Sequence, residues 1–132
     1  MDLESKLKEF DEMKIVALLA TILPNGDPHL VPVWFNIDNG LIQINTPAGN
    51  QKDSNLQRYS RVAINFLDPS NYFHQLSLKG EVVERNQEVA EEHIEFLAQK
   101  YTGAPYTGPG KGNRVMYRIK PVKSIGAYRP RR

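Results

Sequence analysis

The chain has no cysteine, which excludes disulfides, thiolate nucleophiles and thiolate-ligated zinc. It also lacks a long hydrophobic run. The most apolar stretch, residues 15–23, is far shorter than the roughly 20 residues a helix needs to cross a bilayer. Met1-Asp2-Leu3-Glu4 is acidic where a secretory leader would be basic, so a cytoplasmic protein with no membrane partner is expected. No sign of charge dominates: the formal net charge is +2, with Lys and Arg scattered along the chain. The one tight cluster, Arg129-Pro130-Arg131-Arg132, reads as a solvated terminus rather than a docking arm, and nucleic acid is not expected as a partner. His29, His74 and His93 have no ligand-like spacing to one another or to acids, so no metal is expected. His93, flanked by Glu92 and Glu95 on a helical stretch, reads as a surface histidine. There is no G-x-S-x-G, P-loop or dinucleotide fingerprint. Gly108, Gly110 and Gly112 lack the flanking strand and helix that would turn them into a phosphate loop.

What is present is ordinary for one folded domain covering residues 1–132, with 40% hydrophobic and 24% charged residues. Leu3, Leu7 and Phe10 recur at helical spacing, and this first helix is expected to cap a barrel mouth or a subunit contact. Strands are expected over 15–22, 29–37 and 41–45, joined by turns at Pro24-Asn25-Gly26-Asp27 and Asp38-Asn39-Gly40 into a three-strand meander. Pro32, inside the second of these, calls for an edge, a bulge or a break. Further strands are expected over 62–67 and 73–84, the latter with Leu76, Leu78, Val82 and Val83 inward and a bulge at Gly80. Asn86 reads as the N-cap of one long helix with Ala90, Ile94, Leu97 and Tyr101 on its buried stripe, ending at Gly103. Residues 104–112 form a Gly- and Pro-rich loop, either a connector or a lid. Strands over 114–119 and 122–128, separated by Pro121, complete the chain. The economical architecture is mainly β: a β-barrel of six or seven antiparallel strands, closed or split, with peripheral helices.

The most informative stretch is Gln43-Ile44-Asn45-Thr46-Pro47-Ala48-Gly49-Asn50-Gln51-Lys52-Asp53-Ser54-Asn55-Leu56. It reads as strand, small-residue loop and helix start. Such a junction exposes backbone N–H groups beside a lysine, chemistry suited to a phosphate. The same residues also describe an ordinary strand-to-helix connection with a solvated lysine, and local sequence alone leaves both readings open.

The order of parts along the chain favours the first. Leu19-Ala20-Thr21, then Pro24-Asn25-Gly26-Asp27-Pro28-His29 and Pro32-Val33-Trp34-Phe35, resembles the opening of the pyridoxamine-phosphate-oxidase-like split-barrel flavoproteins. Thr46 to Leu56, Arg61-Val62-Ala63 and Gly80-Glu81-Val82 continue the likeness. Leu97-Ala98-Gln99-Lys100-Tyr101-Thr102-Gly103, followed by Arg118-Ile119-Lys120-Pro121, resembles the short branch that uses the deazaflavin coenzyme F420.

The resemblance implies an FMN-binding split-barrel type of fold and a homodimer with cofactor sites at the subunit interface. It implies an oxidoreductase that passes a hydride from reduced F420 to a small conjugated organic acceptor, with FMN as the alternative cofactor. Lys52 matches the family's phosphate-binding lysine. Asn50, Gln51 and Asn55 would flank the phosphate, Thr46, Pro47 and Ala48 would pass along the ring, and Pro32, Val33 and Trp34 would line its other edge. Phe73 of the second copy would cover the site. Many relatives carry an arginine two places before the lysine, where this chain has Asn50, which leaves less positive charge on the phosphate. A basic groove formed from Arg58, Arg61, Lys79, Lys111 or Arg114 would favour the longer acidic tail of F420. A non-catalytic barrel that binds a small ligand, a protein or a nucleic acid is the reading from another class.

Overall fold

The computed structural model describes residues 1–126, and its ten elements follow the alternation of apolar and polar residues closely. They are α1 (Leu3–Asp11), β1 (Ala17–Ile22), β2 (Pro28–Val33), β3 (Asn36–Asp38), β4 (Leu41–Pro47), α2 (Gln51–Arg58), β5 (Arg61–Leu67), β6 (Gln75–Asn86), α3 (Ala90–Thr102) and β7 (Arg114–Ser124). The strands form one sheet in the order β2-β1-β5-β6-β7-β4-β3, with every ladder antiparallel.

The two edge strands, β2 and β3, are separated in sequence only by Trp34 and Phe35. Three residue steps reach about 10 Å, so the sheet has to curl until its edges nearly meet. No ladder joins those edges among the described residues, and the result is a seven-stranded split β-barrel with three helices.

This corrects the expected meander: β4 pairs with β7 rather than with β2. The proline at position 32 has no N–H to offer a ladder. At the break itself, side chains replace strand partners. Phe35 N–H donates to the Tyr101 hydroxyl at 3.2 Å, Lys100 Nζ donates to the Phe35 carbonyl at 2.7 Å, and Ile37 N–H donates to Asp11 Oδ1 at 3.0 Å. The chain then re-enters the sheet through a two-residue hairpin in which both Asn39 and Gly40 have positive φ, as a turn matched to strand twist requires.

The expected strands over 114–119 and 122–128 are one strand, β7, which absorbs Pro121 through a shift of register. Lys79 faces Lys123 while Gly80 faces Pro121, so the surplus residue is Val122. A second shift leaves Val83 surplus on β6, and it is 52% exposed rather than inward. Leu76, Leu78, Gly80 and Val82 keep the inward alternation. Gly80 is required by close approach, since a Cβ there would lie 2.7 Å from Ile119 Cγ2 and 3.2 Å from Val62 Cγ2. The expected end of the last strand at Tyr128 and the cluster Arg129-Pro130-Arg131-Arg132 lie outside the described residues.

Leu7 and Phe10 of α1 are fully buried in this chain's own core beside Leu19, Phe35, Phe66 and Leu78. The helix therefore plugs its own barrel, each of these side chains contributing about 1.5–3 kcal/mol by burial. Asn86 ends β6 instead of capping α3. Its side chain accepts from the N–H groups of Glu88 and Val89, and the helix starts one turn later at Ala90. No helix among the described residues is long and apolar enough to cross a membrane.

Candidate functional site

β4 runs two residues further than its alternation predicts, with Thr46 facing Val115 and Pro47 facing Arg114. The chain then turns through Ala48, Gly49 and Asn50 into α2. Ala48 N–H donates to the Asn113 carbonyl at 2.9 Å. Asn50 caps the helix by accepting from Asp53 N–H at 3.0 Å and donates to Thr46 Oγ1 at 2.7 Å. Asp53 is what holds this bend rigid. It is 1% exposed, accepts the Gly49 N–H at 2.8 Å, and receives Nε and Nη2 of Arg85, each at 2.9 Å, together with the Tyr117 hydroxyl. Burial would raise the Asp53 carboxyl, but those donors and the Arg85 charge outweigh it and hold the pKa down to about 2. The one acidic group in the first turn is thus already neutralised.

Beside the bend lies a hollow of about 250 Å³ whose walls include Pro32, Val33 and Trp34 from the β2–β3 break and Asn45, Thr46 and Pro47 from β4. Lys52, Ile94, Leu97, Tyr106 and Arg114 complete it. Trp34 is held flat: it stacks on Tyr101 with centroids 4.9 Å apart and planes 4° apart, and meets Tyr106 edge-on at 6.4 Å. The Tyr101 hydroxyl donates to the Ile15 carbonyl at 2.6 Å, and burial, aided by the Asp11 charge, pushes its pKa up to about 12.

Two cations face this space. Arg114 is only 7% exposed; its Nε donates to Asn45 Oδ1 at 2.6 Å, and its Nη1 donates to the Tyr106 hydroxyl at 2.9 Å and the Pro109 carbonyl at 2.6 Å. All three partners are neutral. Lys52 is half-buried, and burial first, then the nearby Arg114 charge, push its pKa below the ordinary lysine value. Among the described residues no carboxylate forms an ion pair with either. The Glu91 carboxylate acts on Arg114 only from beyond ion-pair distance, and two partly desolvated positive charges beside a helix N-terminus make a seat for an anion.

The structure brings Pro32, Val33, Trp34, Thr46, Pro47 and Lys52 together, as the sequence suggested. It does not bring Ala48, Asn50, Gln51, Asn55 or Phe73 into the hollow. Asn50 serves as the cap. Gln51 donates to Asn55 Oδ1 at 2.8 Å, and Asn55 is fully buried with its amide donating to Thr21 Oγ1 at 3.0 Å. Phe73 is 61% exposed on the loop before β6.

Asn45, Ile94, Leu97, Tyr106 and Arg114 are additions. Ile94 and Leu97 already stood out as the apolar stripe of α3. Arg114 was one of five candidate groove cations, and of these it alone lines the hollow. Residues 104–112 form neither a plain connector nor a detached lid, because Tyr106 is buried as a wall of the site. His93 is not a surface residue: it is 8% exposed, behind Asn45.

A larger hollow of about 420 Å³ lies on the outer face of the sheet between Ala20, Pro28, Val122 and Ile125. Arg61 and Lys79 stand against Glu81 in its lining, one positive charge in excess, and Glu81 faces Arg61 across β5 and β6. Among the described residues no group of three or more His, Asp or Glu is arranged to hold a metal.

Comparison with known proteins agrees with this layout. No curated protein matches the chain. An F420 reductase of known structure is 24% identical with a TM-score of 0.80, over 89% of this chain and 94% of that one. A conserved hypothetical protein from Mycobacterium tuberculosis is 30% identical with a TM-score of 0.73, over 94% of this chain and 83% of that one. The heme storage protein HutZ from Vibrio cholerae is 20% identical with a TM-score of 0.61, over 93% and 92%. The family model described as pyridoxamine 5'-phosphate oxidase matches residues 3–126, from the plug helix through the last strand. By that match, and by its split barrel, the chain belongs to the pyridoxamine 5'-phosphate oxidase family.

Proposed function

We propose that this protein is an oxidoreductase that seats F420, or failing that FMN, against the β4–α2 bend and reduces a small conjugated organic acceptor. One observation carries the reading: Lys52 and the buried Arg114 face an aromatic-walled hollow with no carboxylate partner among the described residues. Arg114 reaches the site from β7 and stands in for the arginine that many relatives carry where this chain has Asn50. The two cations would hold an anionic tail through charge-assisted hydrogen bonds of about 1.5–3 kcal/mol each. Trp34, fixed by Tyr101, would lie along the ring, with Pro32, Val33, Thr46 and Pro47 at its edges. When bound, the ring supplies hydride transfer, and the residues of this chain hold it, orient it and exclude water. Among the described residues no histidine or carboxylate lines the hollow, in keeping with a reaction that asks the protein for position rather than for an acid or base.

At about 250 Å³ the hollow is smaller than the roughly 300–1,000 Å³ of pockets that enclose a ligand, so one chain supplies one wall. We therefore propose a homodimer. The outer sheet face supports it, because Pro28, Leu30 and Pro32 of β2 lead from the larger hollow to the smaller along one apolar band that a second copy could cover. Phe73 of the partner subunit would then close the site. Heme, which HutZ stores, fits this hollow less well, since no histidine among the described residues lines it to serve as an axial ligand. A non-catalytic barrel would show no affinity for either cofactor.

The test is Lys52→Glu. Charge reversal is expected to abolish binding of F420 and FMN while leaving the melting temperature within about 2 °C, as for a half-buried side chain that makes no ion pair among the described residues. Unchanged affinity would refute the site.

A further inference from the structure

Behind Arg114 a chain of buried polar side chains runs through the wall of the barrel, and its hydrogen-bond directions are fixed by groups that can act in only one way. Arg114 Nε can only donate, so it is Asn45 Oδ1 that faces it at 2.6 Å. The Ala90 carbonyl can only accept, so it is Asn45 Nδ2 that faces α3, at 2.9 Å. That same Nδ2 lies 3.1 Å from His93 Nδ1, which must therefore be the bare, accepting nitrogen. His93 then carries its hydrogen on Nε2 and donates to Asn36 Oδ1 at 2.8 Å, and Asn36 Nδ2 donates in turn to Gln43 Oε1 at 3.0 Å. All five residues are buried, and every direction follows from the ends. Burial, reinforced by the charges of Arg118 and Arg114, holds the His93 pKa down to about 4, so the imidazole is neutral at pH 7 and has one bare nitrogen to offer.

We propose that His93 is a positioning residue of the anion seat: acting through Asn45, it fixes the carboxamide that aims the Arg114 guanidinium into the hollow. If the accepting nitrogen is lost, nothing on the far side of Asn45 distinguishes its two orientations except the Ala90 carbonyl. One amide hydrogen of the carboxamide is then left buried without an acceptor, and its hold on the Arg114 guanidinium loosens. His93 lies in the wall beyond Asn45 and is not among the residues that line the hollow, so its effect has to be transmitted. The proposal rests on the anion-seat reading but is tested first without any ligand.

The experiment follows the arginine Nε–H signals of ¹⁵N-labelled protein, with Arg114 assigned by its disappearance in Arg114→Lys. In His93→Leu, which keeps the volume but has no acceptor, the Arg114 Nε–H is expected to lose at least about tenfold of its protection from hydrogen exchange. His93→Ala is a second route to the same loss. His93→Gln can accept from Asn45 and donate to Asn36, and is expected to keep that protection within about threefold. The Arg85 Nε–H, held by Asp53, should not change in any of them. Unchanged Arg114 protection in His93→Leu and His93→Ala would overturn the proposal, and so would equal loss at Arg85, which marks a general loosening of the barrel.

Titration with FMN and F420 then separates this inference from the reading beneath it. His93→Leu should weaken the cofactor that binds by about tenfold, and by less than about twofold when Arg114 is already alanine. A penalty that persists in full in the Arg114→Ala background would overturn the proposal. If wild-type protein takes up neither cofactor while Arg114 protection still follows His93, the cofactor reading fails and the positioning role stands.

Discussion

Replacing Arg85 by methionine tests whether the bend that presents Lys52 is held by a neutralised buried carboxylate. Asp53 is 1% exposed and keeps the Gly49 N–H and the Tyr117 hydroxyl in the variant, but loses two charge-assisted hydrogen bonds. Breaking one partner out of a fully buried ion pair costs about 3–5 kcal/mol. The Arg85 side chain is 31% exposed, so water screens part of that interaction and the expected loss is about 2 kcal/mol. For 132 residues the unfolding entropy is about 0.28 kcal/mol/K, which turns this into a drop of about 7 °C in melting temperature.

The pH dependence gives the sharper reading. In the wild type the Asp53 pKa of about 2 lies below its unfolded value of 3.8, so the pair stabilises the fold above that value and the gain fades as pH falls through about 2. In Arg85→Met burial is no longer fully opposed, the Asp53 pKa rises, and the variant takes up its proton earlier. The difference between the two proteins should therefore be about 2 kcal/mol at pH 7 and narrow steadily below pH 4. Urea denaturation at a series of pH values measures it. A loss under about 0.5 kcal/mol at pH 7, or a deficit that does not vary with pH, would refute the reasoning.

Three other outcomes follow. Gly80→Ala places a methyl 2.7 Å from Ile119 Cγ2 and is expected to destabilise by about 1–3 kcal/mol, seen as a lower urea midpoint; a neutral result would mean that the β5–β6–β7 crossing has slack. His93 has a folded pKa of about 4, below its ordinary 6.5, so the unfolded chain binds the extra proton between those values. Stability should thus fall by about 3 kcal/mol between pH 7 and pH 4, and His93→Gln should remove that component from the pH profile. Arg114→Met, which deletes a buried charge without reversing it, should weaken cofactor binding by about ten- to a hundredfold in a titration while Lys52 alone holds the tail.

Periodicity made most of the barrel legible, and the places where it misled share a cause. Local pattern reports which face a residue prefers, but not which strand it will meet. The apolar alternation through residues 29–37 continues across Trp34 and Phe35, yet the chain changes edge there. What permits this is a set of partners more than 60 residues later in sequence, Lys100 and Tyr101, that satisfy the freed backbone. Pro121 looked like a strand end because a proline removes a donor, and the ladder absorbed it by one residue of slip. The bend and Lys52 were visible from residue types, whereas the Trp34 edge was visible only through the family resemblance. Arg114 was visible only as one arginine among several, because its role depends on facing Pro47 across β4 and β7. His93 was misread since its helix neighbours Glu92 and Glu95 are polar, while its own side chain points at Asn45 and Asn36.

The central claim is that the hollow between Trp34, Lys52 and Arg114 is a cofactor seat, and the most direct measurement is a side-by-side titration of purified wild-type protein with F420 and with FMN, followed by ultraviolet-visible spectroscopy. Saturable binding with a perturbed ring spectrum is predicted, with F420 the tighter and one site per chain. A flat titration for both, at concentrations up to about 1 mM, would contradict the account.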